Sequence, residues 1–499
     1  MTAGTVRLVA EYFATGTLAG LPDQHFIDGT WVPSASGARM ECFDPGLGRG
    51  FHEVAAGGGS EVEAAVDAAR RAMAGAWGRT TPTARGALLM RAASLVRAHA
   101  ARLAVVESLD VGKPLQEAEA DVAGAARCLE YYAGAADKLE GKSLPLGPDY
   151  FGYTVNEPVG VTAHIVPWNY PLSTLARSLA PALAAGCSAV VKPAEQTPLT
   201  ALMLAAILQE AGVPNGVVNV VLGTGKDAGA PIVSHPDVRH VTFTGSVDTG
   251  ISVMRAVAAN VGTVVLELGG KSPAIVLADA DLERAAKDVL GAIFENAGQI
   301  CSAGSRLIVD RRVHVEMVEL LAVGASKLAI GHGLRRPLLG PVNSPAHLAK
   351  IAGHVDGARA RGIAVAAGGN TRTDPESGAG WFFEPTILDN VPADDAVIQE
   401  EIFGPVLSVQ VADDVDHAIA LANGTQFGLV AGIYTRSFAD AHRIARDVEA
   451  GQIFINEYFA GGILAPFGGT KRSGIGREKG FDALRNYCKT KTITGRIQG

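Results

Sequence analysis

Several residue types and patterns are scarce in this chain, and each scarcity excludes a class of protein. Only five of its 499 residues are cysteine (Cys42, Cys128, Cys187, Cys301 and Cys488), with no CxxC pair and no metal-like spacing. That argues against a zinc site or a disulfide framework and for a reducing compartment, expected to be the cytoplasm. Positive charge is in deficit: 43 Lys and Arg against 51 Asp and Glu give a formal net charge of −8. No basic stripe marks a nucleic-acid partner, so the substrate is expected to be a small molecule. No apolar run approaches the roughly 20 residues of a membrane span. Residues 1–20 lack the charged start and continuous apolar stretch of a signal peptide. What remains, 48% apolar and 19% charged, is the balance of a well-packed globular protein long enough for two or three domains.

The pattern along the chain divides it. Residues 59–77 and 81–140 are rich in Ala, Leu and Arg, and Leu88, Leu89, Ala92, Leu95 and Val96 recur at helical spacing. Both stretches read as amphipathic helices. Tyr150 to Asn156 reads as extended. From 160 to 270, β-branched runs at Val161–Val166, Ala189–Val191, Val217–Val221, Val241–Phe243 and Val264–Leu266 alternate with helical stretches. Repeating βα units imply a parallel sheet covered on both faces, whose ligands bind where the strands end. A second α/β series runs from about 271 to 457, with strands expected at Leu307–Val309, Val406–Val411, Gly432–Tyr434 and Ile453–Ile455.

Particular residues at the turns carry chemistry. Cys301 sits in a polar, Gly-containing stretch, FENAGQIC (294–301), and Glu267 ends an apolar strand ahead of two glycines. A thiol supplies a nucleophile and a carboxylate can activate a thiol or a water. A buried structural cysteine fits the same residues taken alone. Asn169, in PWNYP, presents an amide that can donate to an oxyanion or cap the helix opened by Pro171. Lys192 and Glu195 suit either a ribose contact or a solvated ion pair. Gly223-Thr224-Gly225 and Thr244-Gly245-Ser246 suit a phosphate at a helix start, or only a turn.

Taken together, the segments PWNYP (167–171), KPAEQTP (192–198), FTGS (243–246), LELGGKSP (266–273), NAGQICSAGSR (296–306), EEIFGPV (400–406) and PFGGTKRSGIGREKG (466–480) make the chain resemble the non-phosphorylating aldehyde dehydrogenase superfamily from about 22 to 495. The resemblance implies an α/β fold with a Rossmann-type cofactor domain (1–140 and 159–267), a second α/β catalytic domain (268–470), and an oligomerisation element (141–158 and 471–499) of a homodimer or homotetramer. It implies Cys301 as nucleophile, Asn169 and the Cys301 N–H as oxyanion donors, Glu267 as general base, and Glu478 as a proton-relay residue. The implied cofactor is NAD in preference to NADP, held by Val166, Pro167, Trp168, Lys192, Glu195, Gly225, Phe243, Gly245, Ser246, Leu268, Glu401 and Phe403, with no metal.

The aldehyde pocket is expected to be lined by Tyr170, Thr174, Arg177, Glu295, Ile300, Ser302, Tyr458 and Phe459. Arg177 stands where many relatives carry Trp. It either pairs with a substrate carboxylate or makes a salt bridge to a nearby acid, and it argues against a cationic guest although Tyr170 and Tyr458 supply part of an aromatic cage. Semialdehydes, aromatic aldehydes and medium-sized polar aldehydes all remain compatible with these residues. The alternatives are a CoA-acylating enzyme, which would not need Glu267, and a catalytically retired binding protein on the same fold.

Overall fold

A computed structural model describes residues 2–497. Its first sheet has eight strands in the order Thr30–Val32, His25–Ile27, Val218–Val220, Ser188–Lys192, Val161–Ile165, Val238–Thr244, Thr263–Glu267 and Gly474–Ile475. The five from Val218–Val220 to Thr263–Glu267 are parallel, and antiparallel strands close both edges. The chain winds outward from Val161–Ile165 in one direction and from Val238–Thr244 in the other. The crevice between those two strand ends is where such a sheet admits a ligand. These strands lie where the β-branched runs place them because both faces are covered by helices.

The second sheet has seven strands, in the order Ala364–Ala367, Thr386–Asp389, Val406–Ala412, Arg306–Asp310, Pro273–Val276, Val430–Tyr434 and Gln452–Ile455, parallel except for the first. Its carboxyl ends point away from the site described below. The turns there are sealed by Asp279, which accepts from the Thr435 hydroxyl at 2.7 Å and the Arg436 N–H at 3.0 Å.

Several stretches differ from the sequence expectation, among them the strands His25–Ile27, Thr30–Val32, Pro273–Val276, Ala364–Ala367 and Thr386–Asp389, where none was expected. Residues 81–140 form three helices, Pro82–Ala98, Ala100–Val111 and Leu115–Ala135. Gly112, at φ 95°, ends the second in the left-handed region, and Pro114 starts the third. The N-terminal segment, of which no element was expected, is a helix over Ala3–Thr15 whose buried Tyr12 donates to Asp44 at 2.5 Å. Of the terminal segment 471–499, Gly474–Ile475 joins the first sheet, while Cys488–Arg496 pairs antiparallel with Tyr150–Pro158 as a separate two-stranded ribbon. Among the described residues, no helix is long and apolar enough to cross a membrane.

Candidate active site

A cavity of about 950 Å³ lies between the two sheets. The first sheet reaches it with the turns that follow its strands: Val166–Trp168, Lys192 with Glu195, and Gly245–Ser246. The second sheet reaches it with the segments that precede its strands: Cys301 before Arg306–Asp310, and Glu401 and Phe403 before Val406–Ala412. The rule that ligands meet carboxyl ends therefore holds for the first sheet and is largely inverted in the second, where Phe459 and Ala460, which follow Gln452–Ile455, are the exception.

The LELGG motif explains itself at this junction. A Cβ on Gly269 would stand 2.3 Å from the Glu401 carboxylate, and one on Gly270 would stand 2.4 Å from the Cys301 carbonyl oxygen. Only glycine lets the strand exit pass between these groups. Glu401 is anchored by the Gly270 N–H at 2.9 Å. Ser473 ties the same exit down, donating to the Gly269 carbonyl at 2.8 Å and accepting from the Gly428 N–H at 3.0 Å.

The cysteine is delivered by a strained turn. Asn296, Ala297 and Gly298 all have positive φ (47°, 54° and 72°), a run that costs energy at the two non-glycine residues. The buried Gln299 pins it, donating to the Asn296 carbonyl at 2.9 Å and accepting from the Asn343 N–H at 2.9 Å. Gln299 also anchors the oxyanion candidate: Asn169 donates one amide hydrogen to the Gln299 carbonyl at 2.7 Å. A primary amide has a second N–H to offer.

The electrostatics favour proton transfer. Cys301 is half-buried, and desolvation pushes its thiol up to about 12, opposed by the Arg177 charge and the Ser302 N–H. Glu267 is buried with no hydrogen-bond partner on either carboxylate oxygen. Burial first, and then the neighbouring Glu478, hold its carboxyl well above the usual carboxylate range, while Arg177 pulls it back. A buried carboxyl without partners inside a cavity is a group disposed to accept and release a proton.

Most of the expected residues come together on this cavity, including Tyr170, Thr174, Arg177, Glu295, Ile300, Ser302 and Phe459. Three do not line it. Leu268 packs under the helix Val247–Ala259, where Gly250 has no room for a Cβ against it. Tyr458 stands behind the wall and donates to the Ser302 carbonyl at 3.3 Å. Glu478 lies behind Arg177 and forms an ion pair with it. Arg177 thus brings no unpaired charge to the cavity; it also lies 5.1 Å from the Phe467 ring centroid. Lys192 donates to Glu195 at 2.9 Å, both at the cavity wall.

Sequence reasoning missed Asp121, His347, Lys350, Phe467 and Lys479, which also line the cavity. Only Phe467 and Lys479 fell inside a quoted motif. Among the described residues, no group of three or more His, Cys, Asp or Glu is arranged to hold a metal ion.

The cavity's far end suits a dinucleotide. Ser246 caps the helix Val247–Ala259, accepting from the Thr249 N–H at 3.4 Å, so the helix start faces the cavity with its partial positive charge. A Cβ on Gly245 would collide with the Phe243 ring at 2.6 Å, and nothing lies within 4 Å of one on Gly225. The turns are therefore bare backbone, open to a phosphate.

The pattern described as "Aldehyde dehydrogenase family" matches residues 31–493. The chain is 43% identical over 489 residues to aminoacetaldehyde dehydrogenase of Pseudomonas aeruginosa, covering 97% of each chain. It is 40% identical over 472 residues to betaine aldehyde dehydrogenase of Bacillus subtilis, covering 94% of this chain and 96% of that one. An aldehyde dehydrogenase from Bacillus cereus, solved as an NAD+ complex, superposes with a TM-score of 0.94 at 39% identity, over 100% of this chain and 99% of that one.

Proposed function

This chain belongs to the aldehyde dehydrogenase family, and from that premise we propose how its own residues oxidise an aldehyde to a carboxylic acid. One observation carries the reading: Cys301, Asn169 and Glu267 open onto a single cavity whose other end offers bare, helix-starting turns. NAD, when bound, supplies the two-electron acceptor for the aldehyde carbon. Val166–Trp168, Lys192, Glu195, Gly225, Gly245 and Ser246 would hold it, with Glu401 and Phe403 at the end nearer the cysteine.

At neutral pH the Cys301 thiol is protonated and must be activated. The thiol gives its proton up to solvent, and the Arg177 charge and the Ser302 N–H favour the thiolate. The sulfur attacks the aldehyde carbon, and the second Asn169 amide hydrogen meets the oxygen on which charge develops. Such a donor is worth roughly 3–4 kcal/mol in the transition state. Oxidation leaves an acyl group on Cys301 as a thioester. Glu267 then removes a proton from water, which releases the acid. Glu478 acts through Arg177 and through its charge on Glu267, outside the reach of substrate.

Preference for NAD over NADP is supported by Glu195. A carboxylate there accepts from a ribose 2′-hydroxyl and repels a 2′-phosphate. We assign Tyr150–Pro158 and Cys488–Arg496 to subunit association into a dimer or tetramer: residues 142–144 pair with part of the outer edge of Tyr150–Pro158, while Cys488–Arg496 offers the ribbon's other edge and Tyr150, Phe151 and Tyr153 are exposed. We place the cofactor domain on the first sheet and the catalytic domain on the second. The five free thiols fit a reducing compartment such as the cytoplasm.

The test is a pair of variants. Glu267→Gln should give one burst of NADH and then stall, with the acyl group retained on Cys301 by intact-protein mass. Cys301→Ala should give neither burst nor adduct while still binding NAD. Steady turnover by Cys301→Ala would refute the mechanism.

A further inference from the structure

Four Lys and Arg side chains line the cavity, and three of them are tied. Arg177 pairs with Glu478, Lys192 donates to Glu195 at 2.9 Å, and Lys350 donates to the Glu401 carbonyl at 2.9 Å. His347, pushed down to about 4 by burial, is neutral. The fourth cation is Lys479. Among the described residues its Nζ has no hydrogen-bond acceptor and no carboxylate at salt-bridge distance. It stands over the Phe467 ring, 5.1 Å from the centroid.

The backbone holds this lysine where a side chain is strained. Lys479 has φ 60° and Gly480 has φ 63°, a conformation that glycine adopts freely and lysine does not. Such strain persists only where the surrounding structure over-determines it. Here Glu478 exchanges both backbone hydrogen bonds with Phe467, at 2.7 and 2.8 Å. The Gly480 N–H donates to the Ile463 carbonyl at 2.8 Å, and the Tyr132 hydroxyl donates to the Gly480 carbonyl at 2.9 Å. These ties keep the lysine against the ring that Arg177 also approaches, at 5.1 Å. Cys301 packs on the cluster to which that ring belongs, with Leu429, Val430 and Phe454.

We propose that Lys479 is a positioning residue for the nucleophile: its free ammonium is the counter-charge that the Cys301 thiolate meets inside the cavity, in place of the solvent that burial removes. The proposal rests on Cys301 being the nucleophile and deepens that reading. The other groups facing the sulfur leave it short of positive charge. Glu267 and Glu401 oppose its ionisation, and Arg177, which favours it, shares its charge with Glu478. Burial and then Arg177 push the Lys479 ammonium down to about 8, while Glu478, Cys128 and Cys301 draw it back up. A lysine is charged below its pKa, so Lys479 carries its charge through the neutral range. The coupling is reciprocal: a sulfur anion that favours the ammonium is favoured by it to the same degree. The same charge, with Arg177 and Arg477, also draws Glu267 downward.

The experiment is alkylation of Cys301 by iodoacetamide in the full chain, without aldehyde, read by intact mass and peptide mapping. Only the thiolate reacts, so the rate across about pH 6–10 reports ionisation of the sulfur. Lys479→Met keeps an apolar stem over Phe467 and removes the charge. It should move the profile up by about one pH unit, which is a tenfold slower reaction at a fixed neutral pH. Lys479→Arg should restore most of the rate. Iodoacetate should lose more than iodoacetamide in Lys479→Met, because an anionic reagent senses the cation directly. A profile unmoved in Lys479→Met, or moved equally in Lys479→Arg, overturns the proposal; a merely structural role would lower Tm and leave the profile in place. A second readout needs no variant. Compared with glutathione, Cys301 of the parent should prefer iodoacetate over iodoacetamide, and the preference should decline from about pH 7 to 10 as Lys479 loses its proton. A constant preference overturns the proposal. If Cys301 resists alkylation at every pH while other thiols react, the reading of Cys301 as nucleophile has failed and the proposal falls with it, a result separate from an unmoved profile.

Discussion

Gly270→Ala probes whether the strand exit governs the nucleophile. The added methyl would stand 2.4 Å from the Cys301 carbonyl oxygen, whereas ordinary contact begins at 3.4 Å, so 3.4 − 2.4 = 1.0 Å has to be found. The obstacle is backbone, which cannot rotate away, and the Leu429 Cβ at 3.3 Å limits retreat. The turn carrying Cys301 is already strained and pinned through Gln299, so it is the cysteine peptide that must shift. A displacement near 1 Å can cost about 100-fold in rate, and overpacking of this kind costs about 1–3 kcal/mol in stability. The assay is the single-turnover NADH burst by stopped flow, beside NAD affinity and thermal denaturation. The expected result is a burst slowed by about two orders of magnitude with NAD affinity little changed. A burst within twofold of the parent, with or without a lower Tm, would refute the argument. Gly124→Ala is the control: its Cβ meets nothing within 4 Å on the helix Leu115–Ala135, and it should gain about 0.5–1 kcal/mol by chemical denaturation.

Arg177→Leu removes the charge that pulls Glu267 downward and leaves Glu478 buried without its cation. Glu267 must be ionised to take a proton, so hydrolysis is present above its folded pKa and lost as pH falls through it. The acid limb of thioester hydrolysis should therefore move to higher pH, and an unmoved limb would exclude this coupling. The same variant should lose about 3–5 kcal/mol of stability, as broken buried ion pairs do, read by chemical denaturation. Asn169→Ala should lower kcat by about 10²–10³ with NAD still bound, because the developing oxyanion loses its donor, although the Gln299 carbonyl loses one as well; a mere rise in KM would point to a structural role. Glu195→Gln should raise the ratio of NADP to NAD efficiency by about tenfold, since a like charge facing the 2′-phosphate is removed; equal ratios would place the discrimination elsewhere.

The part of the cavity built by the first sheet was legible because its signals are local. A β-branched strand, a turn and a helix are contiguous, so Lys192, Glu195, Gly245 and Ser246 could be found from their position after a strand. The part built by the second sheet was less legible. Cys301, Glu401 and Phe403 precede their strands, so the strand-end rule points to the wrong end of the second sheet, and only the family motifs located them. Asp121, His347 and Lys350 reach the cavity from helices whose sequences carry no chemical signature. Lys113 and Pro114 were taken into one long helical stretch, yet the break at Gly112 is what turns Lys113 inward beneath Tyr170. The partnership of Arg177 with Glu478 joins positions about 300 residues apart, beyond any local pattern.

The opposed orientation of the two sheets divides the surface into regions of very unequal tolerance. Turns after Pro273–Val276 and Val430–Tyr434 are joined through Asp279, and Thr435 bonds to Asn456 ahead of Phe459, yet none of these turn residues lines the cavity. An epitope, a linker or a fused partner grafted there would leave the chemistry where it stands. One extra residue between Gly298 and Arg306 would instead reposition the sulfur. The same sheet is thus permissive at one end and intolerant at the other, and a designer lengthening this protein has a ready choice of where to cut.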